Sequence, residues 1–379
     1  MKKVLITGGA GFIGSHLANL LLKHGHKVRA FDNLEPQIHG KIDRPAYLAP
    51  EVELVRGDVR DRESLLSALQ GVDAIFHFAA MVGVGQSQYQ IMRYTSTNVS
   101  GTATLLEILC NERHSVRKLV VASSMSVYGE GLYRRPSDGL RVSLPPRSEA
   151  QLAAGQFEVH DPDTNEILEP LPTPEDKPLN CESIYALNKK DQEEYCLLFG
   201  RTYGLPVTAC RFFNVYGPHQ SLNNPYTGAA AIFISRIKND TPPLIYEDGM
   251  QSRDFIDVRD VVAGCLLVLE DARADGKVFN IGTGQRMSIL QLAEILIDLS
   301  GKQLKPEIVY QYRKGDIRHC FADITAVRKL GFTPVIQLRE GLRHLYSWAD
   351  RVKAFDQVET AHSELVNRGL VGRKSGDSL

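Results

Sequence analysis

Along residues 1 to about 125, short runs of β-branched and apolar residues alternate with stretches whose apolar positions recur every three or four residues. The runs at 4–7, 28–31, 52–55, 74–78 and 118–123 read as strands, and the stretches at 14–24, 61–70 and 97–110 read as helices. Strand and helix in strict alternation is the pattern of βαβ units, which build a parallel sheet. Few polar residues interrupt the strands, as expected when helices cover both faces. In the first helix Ile13, Leu17, Leu20 and Leu21 form one stripe while Ser15, Asn19 and Lys23 face elsewhere, and Gly25 ends it. The expected fold class is α/β, a doubly wound parallel sheet.

The pattern breaks at 130–178. Eight of the 18 prolines fall there, and eight acidic residues with no Lys or Arg lie between 149 and 176. Such a stretch is too polar and too often interrupted to be core, so it reads as a surface insertion. Helical periodicity resumes over 183–201, and a strand follows at 207–213. Beyond it, 218–252 and 282–355 mix helical segments with proline-rich connectors. The expected division is a first domain of residues 1–217, carrying the insertion at 130–178 and regaining 253–281. A smaller, discontinuous α/β domain takes 218–252 and 282–379. From about residue 371 the Gly, Ser and Lys content predicts a fraying end.

Charge changes the picture mainly by exclusion. Lys plus Arg number 44 and Asp plus Glu 45, a net charge of −1, so no basic face for nucleic acid or an acidic membrane is indicated. No apolar run is long enough to span a bilayer, and glycines interrupt the apolar start, so a cytoplasmic location is expected. The six cysteines are scattered without Cys-x-x-Cys and read as reduced thiols. No histidine pair has ligand spacing, so no metal is expected and His77 reads as structural.

Two constellations carry chemistry. Gly8, Gly11 and Gly14 stand in Gly-x-x-Gly-x-x-Gly between the first strand and the first helix. Gly8 allows the tight turn, Gly11 lets backbone N–H groups approach a pyrophosphate, and Gly14 permits close helix packing. Asp32 ends the second strand 18 residues after Gly14, where a carboxylate accepts both ribose hydroxyls and repels a 2′-phosphate. The cofactor indicated is NAD rather than NADP. Asp58 and Val59, after the third strand, are placed to meet the adenine edge. The second constellation is Tyr185 and Lys189, four apart on one helical face, with Ser124 at the end of a strand. A neighbouring ammonium, joined by the positive nicotinamide ring, favours the phenolate, and the Ser124 hydroxyl can hold the same substrate oxygen.

Taken in order, the glycine loop, His77-Phe-Ala-Ala80, Asn98-Val-Ser-Gly-Thr102, Ser123-Ser-Met-Ser-Val-Tyr-Gly129, Tyr185-x-x-x-Lys189 and Arg211-Phe-Phe-Asn-Val-Tyr-Gly-Pro218 resemble the extended short-chain dehydrogenase/reductase family acting on nucleotide-diphosphate sugars. The likeness runs from residue 1 to about 345. It implies a Rossmann sheet with a smaller nucleotide-sugar domain. By resemblance Phe12, Ile13, Asp32, Asn33, Asp58, Val59, Phe78, Ala79, Ala80, Asn98 and Lys189 contact NAD, and Ser124 and Tyr185 are catalytic. Asn214 reaches the substrate diphosphate, and Arg253 and Arg313, the latter in Arg313-Lys-Gly-Asp316, clamp it, with Arg318 competing for the role. Guanidinium forks suit a diphosphate on independent grounds.

Where a 4,6-dehydratase of this family carries an Asp-Glu pair after its catalytic hydroxyl, and a decarboxylase a Glu, this chain has Met125 and Ser126. Neither titrates near neutral pH. The remaining residues suit 4-epimerisation through a 4-keto sugar. Val127-Tyr-Gly-Glu-Gly131 and the insertion are similar to the branch of dTDP-L-rhamnose 4-epimerases, with UDP-hexose epimerases near. The insertion lacks the paired cysteines common in that branch. It is expected to act as a lid over the sugar pocket, or to help a neighbouring subunit close it. A homodimer through the 98–110 and 183–201 helices is also implied. The competing readings are a dehydratase, a decarboxylase or a 2-epimerase, and, outside enzymes, a regulator that binds NAD without turnover.

Overall fold

The computed structural model describes residues 2–142 and 144–374. Seven strands, β1 (Lys3–Thr7), β2 (Lys27–Asp32), β3 (Glu53–Arg56), β4 (Ala74–His77), β5 (Lys118–Ser124), β6 (Val207–Phe212) and β7 (Lys277–Ile281), form one sheet. Its order is β7-β6-β5-β4-β1-β2-β3 and every pairing is parallel. The chain therefore reverses its direction of winding between β1 and β4, the place where such sheets open a crevice at their carboxyl ends.

The longer helices are α1 (Phe12–Lys23), α2 (Arg62–Ala68), α3 (Gly101–Asn111), α4 (Ile184–Tyr203), α5 (Ala229–Lys238), α6 (Val258–Glu270), α7 (Ile289–Ser300), α8 (Leu338–Asp350) and α9 (Val358–Asn367). Apolar side chains of α1 and α6, among them Leu17, Leu21, Val261 and Val268, cover one face of the sheet. Leu65, Leu105, Leu109 and Phe199 of α2, α3 and α4 cover the other. Ser15, assigned outward by the stripe, is fully buried, because its hydroxyl donates to the Phe12 carbonyl at 3.0 Å and so needs no water. The expected 97–110 helix begins with a π-helical turn at Ser96–Ser100 before α3. That turn aims Asn98 inward, as described below.

The second core lies between α5, α7 and α8, with Ile234, Leu292, Leu296, Leu342 and Leu345 at its centre. The expected boundary differs in one stretch. Ile317, Ile324, Val327 and Phe332 pack with the first core. Gly264 of α6 makes the room: a Cβ there would stand 3.1 Å from the Phe332 ring.

The 130–178 stretch is on the surface but has its own order. Leu132–Arg134, Arg141–Val142 and Glu169–Leu171 form an antiparallel sheet over Tyr133, Val159 and Leu168. It docks through charge. Arg147 pairs with Glu247 at 2.9 Å, and Glu158 accepts from Arg318 and His319 at 2.5 and 3.0 Å. The Thr173 N–H donates to the Phe321 carbonyl at 2.8 Å, extending the clasp along the backbone. None of the described residues of this stretch lines the cleft described below; the stretch docks against the body of the protein, and no lid is formed in this arrangement.

The chain end also departs from expectation. Val371–Arg373 is a strand antiparallel to Gln311–Arg313, with Gly372 seated where any Cβ would strike the Tyr312 ring. The rest of the expected fraying end, from 375 on, lies outside the described residues.

Candidate active site

The carboxyl ends of β1, β4 and β5 open into a cleft of about 440 Å³. Thr7 ends β1 and organises the crossing: its hydroxyl hydrogen-bonds to His77 Nδ1 at 2.8 Å and accepts from the Phe78 and Ala79 N–H groups at 3.2 Å. The His77 Nε2 meets the Thr102 hydroxyl at 2.9 Å, and complete burial pushes the imidazole down to about 3. It is a neutral tie between β1, β4 and α3.

The glycine loop follows. Gly8 has φ +69 and sits so close to β4 that a Cβ would lie 2.9 Å from Ala79 N. At Gly14 a Cβ would lie 2.3 Å from the Gly8 carbonyl oxygen, so α1 can approach the turn only at glycine. Gly11 caps α1 without a side-chain partner for its first N–H groups, which leaves the positive helix end facing the cleft. Asp32 accepts from Ala10 N at 3.0 Å and Leu34 N at 2.9 Å, which orient its carboxylate at the cleft wall. This cradle, closed to any larger residue and ending in a carboxylate, fits a dinucleotide.

Several expected contacts stand one layer back. Asp58 lies behind the lining, accepting from Asn33 Nδ2 at 3.1 Å and held down to about 2, first by the Arg60 guanidinium. Val59, Phe78, Ala79 and Ala80 do line the cleft. Asn98 does not: it is fully buried, accepting from Met81 N at 2.7 Å and donating to Met81 O at 3.0 Å. The π turn places that carboxamide against the backbone after Ala80, where it shapes the wall from behind.

At the other end stand Ser124, Tyr185 and Lys189, together in the lining. Ser183 caps α4, and the Ser87 hydroxyl accepts from Tyr185 N at 3.0 Å, fixing the helix start. The Tyr185 phenol interacts with the Ser124 hydroxyl, and burial drives it up to about 12. Burial equally draws Lys189 down to about 7, with its Nζ donating to the Ala122 carbonyl at 2.9 Å. The expected phenolate is thus not maintained by Lys189 alone. Ser126 donates to Ser124 Oγ from its hydroxyl at 2.9 Å and its N–H at 3.2 Å. The sequence reading treated Ser126 only as a residue that does not titrate; its place two positions past the strand end was the available signal.

Five polar atoms in this lining, His39 Nδ1, Ser123 Oγ, Asn214 Oδ1, Gln220 Oε1 and Asn224 Nδ2, are buried without a partner, as groups awaiting a ligand are. The lining also holds Gln37 and His39, on the short helix Pro36–His39, and Tyr226, in the stretch Ser221–Gly228.

The three arginines expected at the diphosphate sit outside the cleft lining. Arg253 donates to the carbonyls of Ser252, Ile317 and Arg318 at 2.7–3.0 Å, with burial pulling its guanidinium down. Arg313 lies over the Tyr246 ring at 4.6 Å and pairs with Asp316 at 2.7 Å. Arg318 is fully buried among Glu158, Glu247 and Asp248, which removes it from competition with Arg313. Among the described residues no three His, Cys, Asp or Glu side chains are grouped to hold a metal ion, and no helix is long and apolar enough to cross a membrane.

With this geometry in view, comparison with known proteins is direct. The NAD dependent epimerase/dehydratase family matches residues 4–282, and the chain belongs to that family. It is 36% identical to a dTDP-L-rhamnose 4-epimerase of Burkholderia thailandensis over 357 residues, covering 92% of this chain and 94% of the relative. Its fold matches the UDP-glucose 4-epimerase of Thermotoga maritima solved with UDP-glucose, at 30% identity and TM-score 0.74, over 92% and 99% of the two chains. The Thermus thermophilus UDP-glucose 4-epimerase solved with NAD gives 28% identity and TM-score 0.72 over 93% and 100%. The family is NAD-dependent.

Proposed function

We propose that the protein epimerises C4 of a nucleotide-diphosphate sugar, a dTDP-6-deoxyhexose or a UDP-hexose, with NAD retained through turnover. When bound, NAD would supply the hydride acceptor and a positively charged ring, which favours the phenolate of Tyr185. The observation that carries the reading is the meeting of Ser124, Tyr185 and Lys189 at one end of the cleft whose other end is the glycine cradle. Ser124 orients the C4 hydroxyl. Tyr185 acts as the phenolate, the form that neighbouring positive charge favours against the upward pull of burial, and takes the proton as the C4 hydrogen leaves as hydride. The 4-keto sugar then turns about its diphosphate linkage, and hydride and proton return on the opposite face. Asn214, Arg253 and Arg313 with Asp316 are assigned to the nucleotide diphosphate.

Met125 and Ser126 favour this reading over elimination or decarboxylation, since neither side chain can act as acid or base at neutral pH. The presence of the tyrosine and lysine favours it over a binding protein without turnover. Dimerisation is assigned to α3 and α4, the latter exposing Leu187, Tyr195 and Leu198 on its outer face.

The test is incubation of the purified protein with a panel of nucleotide sugars, followed by product mass. An isomer of unchanged mass is expected; loss of water or of carbon dioxide would give the reaction to a dehydratase or a decarboxylase. Tyr185→Phe should lower kcat by about 10²–10⁴ with NAD still bound.

A further inference from the structure

The family match ends at residue 282 and the motifs near 345, yet α9 and the strand Val371–Arg373 pack against the outside of the cleft. Glu364 of α9 accepts from the Tyr89 hydroxyl at 2.9 Å and from the Tyr226 hydroxyl at 3.3 Å, and those two hydroxyls are 2.7 Å apart. Tyr226 lines the cleft, as does Gly83 facing it. The two approach so closely that a Cβ on Gly83, whose φ is +129, would lie 2.9 Å from Tyr226 Cβ. Behind the same loop, Leu365 is buried and within contact of Gly85, and the Arg368 guanidinium lies 4.1 Å over the Tyr89 ring.

The segment also reaches the cationic group. His362 Nδ1 is 2.6 Å from the Tyr246 hydroxyl, and the Tyr246 ring carries Arg313. Val371 pairs with Arg313 itself in the short antiparallel ladder. One piece of chain thus fixes both a cleft wall and an arginine that stands outside that wall.

We infer that residues 358–373 are a strap holding the substrate side in shape, with Glu364 a positioning residue that acts through Tyr226 and Tyr89. The inference rests on the nucleotide-sugar reading of the cleft and of Arg313. Glu364 is 39% exposed, so its removal is compatible with folding.

The test is steady-state kinetics and calorimetric binding of UDP-glucose and dTDP-L-rhamnose to the NAD-loaded full chain. Glu364→Ala should raise KM or Kd for the sugar that binds by about tenfold, equivalent to ~1.4 kcal/mol, while kcat, NAD content and Tm stay near wild type. Glu364→Gln, which keeps an acceptor, should recover most of the loss. In the Glu364→Ala, Tyr226→Phe double variant the effects should not add, because both remove one contact. An unchanged KM in Glu364→Ala, or an equal fall of kcat, NAD content and Tm that Glu364→Gln does not relieve, would overturn the strap. If wild type binds these sugars without turning them over, the reaction reading fails while the Kd comparison still decides the strap. Absence of any binding by wild type overturns both.

Discussion

The glycine-loop region and the docked insertion are held by opposite means. Around the glycine loop, stability comes mainly from apolar burial: Leu17, Leu21 and Val261 are fully excluded from water. Around Arg318, a fully buried guanidinium faces Glu158, Glu247 and Asp248, and Arg147 faces Glu130 and Glu247. Apolar packing tolerates a partial loss, whereas a buried charge stripped of its partner retains its full desolvation cost. The insertion therefore depends on a few atoms, and the parallel sheet on many.

The sharpest way to break this contrast is Arg318→Met, which leaves Asp248 without its cation and takes one of two partners from Glu247 and from Glu158. A loss of about 3–5 kcal/mol in urea unfolding is expected. Leu17→Ala in the apolar half belongs to the same range, about 2–5 kcal/mol, but through a cavity instead of unpaired charge. High salt should therefore change the cost of the arginine variant and leave that of the leucine variant alone. If salt moves both equally, the contrast is wrong.

Gly14→Ala probes the apolar region more finely. Its Cβ would meet the Gly8 carbonyl oxygen at 2.3 Å, so the loop must shift where the pyrophosphate would lie. NAD affinity should fall by at least about tenfold, ~1.4 kcal/mol, measured as retained NAD after gel filtration, with the insertion undisturbed.

The smallest effect expected is that of acid. Burial would raise the Glu158 carboxyl, but hydrogen bonds from His319 and Arg318 outweigh it and hold it at about 2. A depressed carboxyl contributes stability above its ordinary value near 4.5 and loses it as pH falls toward 2. Between those values the insertion amides should open to hydrogen exchange before the sheet amides do; simultaneous opening would remove the distinction.

Much of the glycine-loop region was legible along the chain. Period-2 and period-3.6 patterns are local, and the glycine spacing encodes a turn, an approach and a packing contact within eight residues, so the sheet and the cradle followed from neighbours in sequence. The pairing of Tyr185 with Lys189 was legible for the same reason. Its electrostatics were not, because burial of both groups depends on β5, β6 and α3 arriving from elsewhere. Asn98 carried a motif yet spends its carboxamide on Met81, a partner 17 residues away.

What the amino-acid order determined by itself was periodicity, the winding of the parallel sheet, and the types of residue able to grip a dinucleotide and move a proton. Only the tertiary structure decided which partners each arginine meets. Arg253, Arg313 and Arg318 look alike in sequence, but a guanidinium's role depends on the carboxylates within a few ångströms, and Glu158 and Glu247 reach Arg318 across separations of 160 and 71 residues. The strap over Tyr226 has the same origin: Glu364 meets it 138 residues away, a distance no local pattern records.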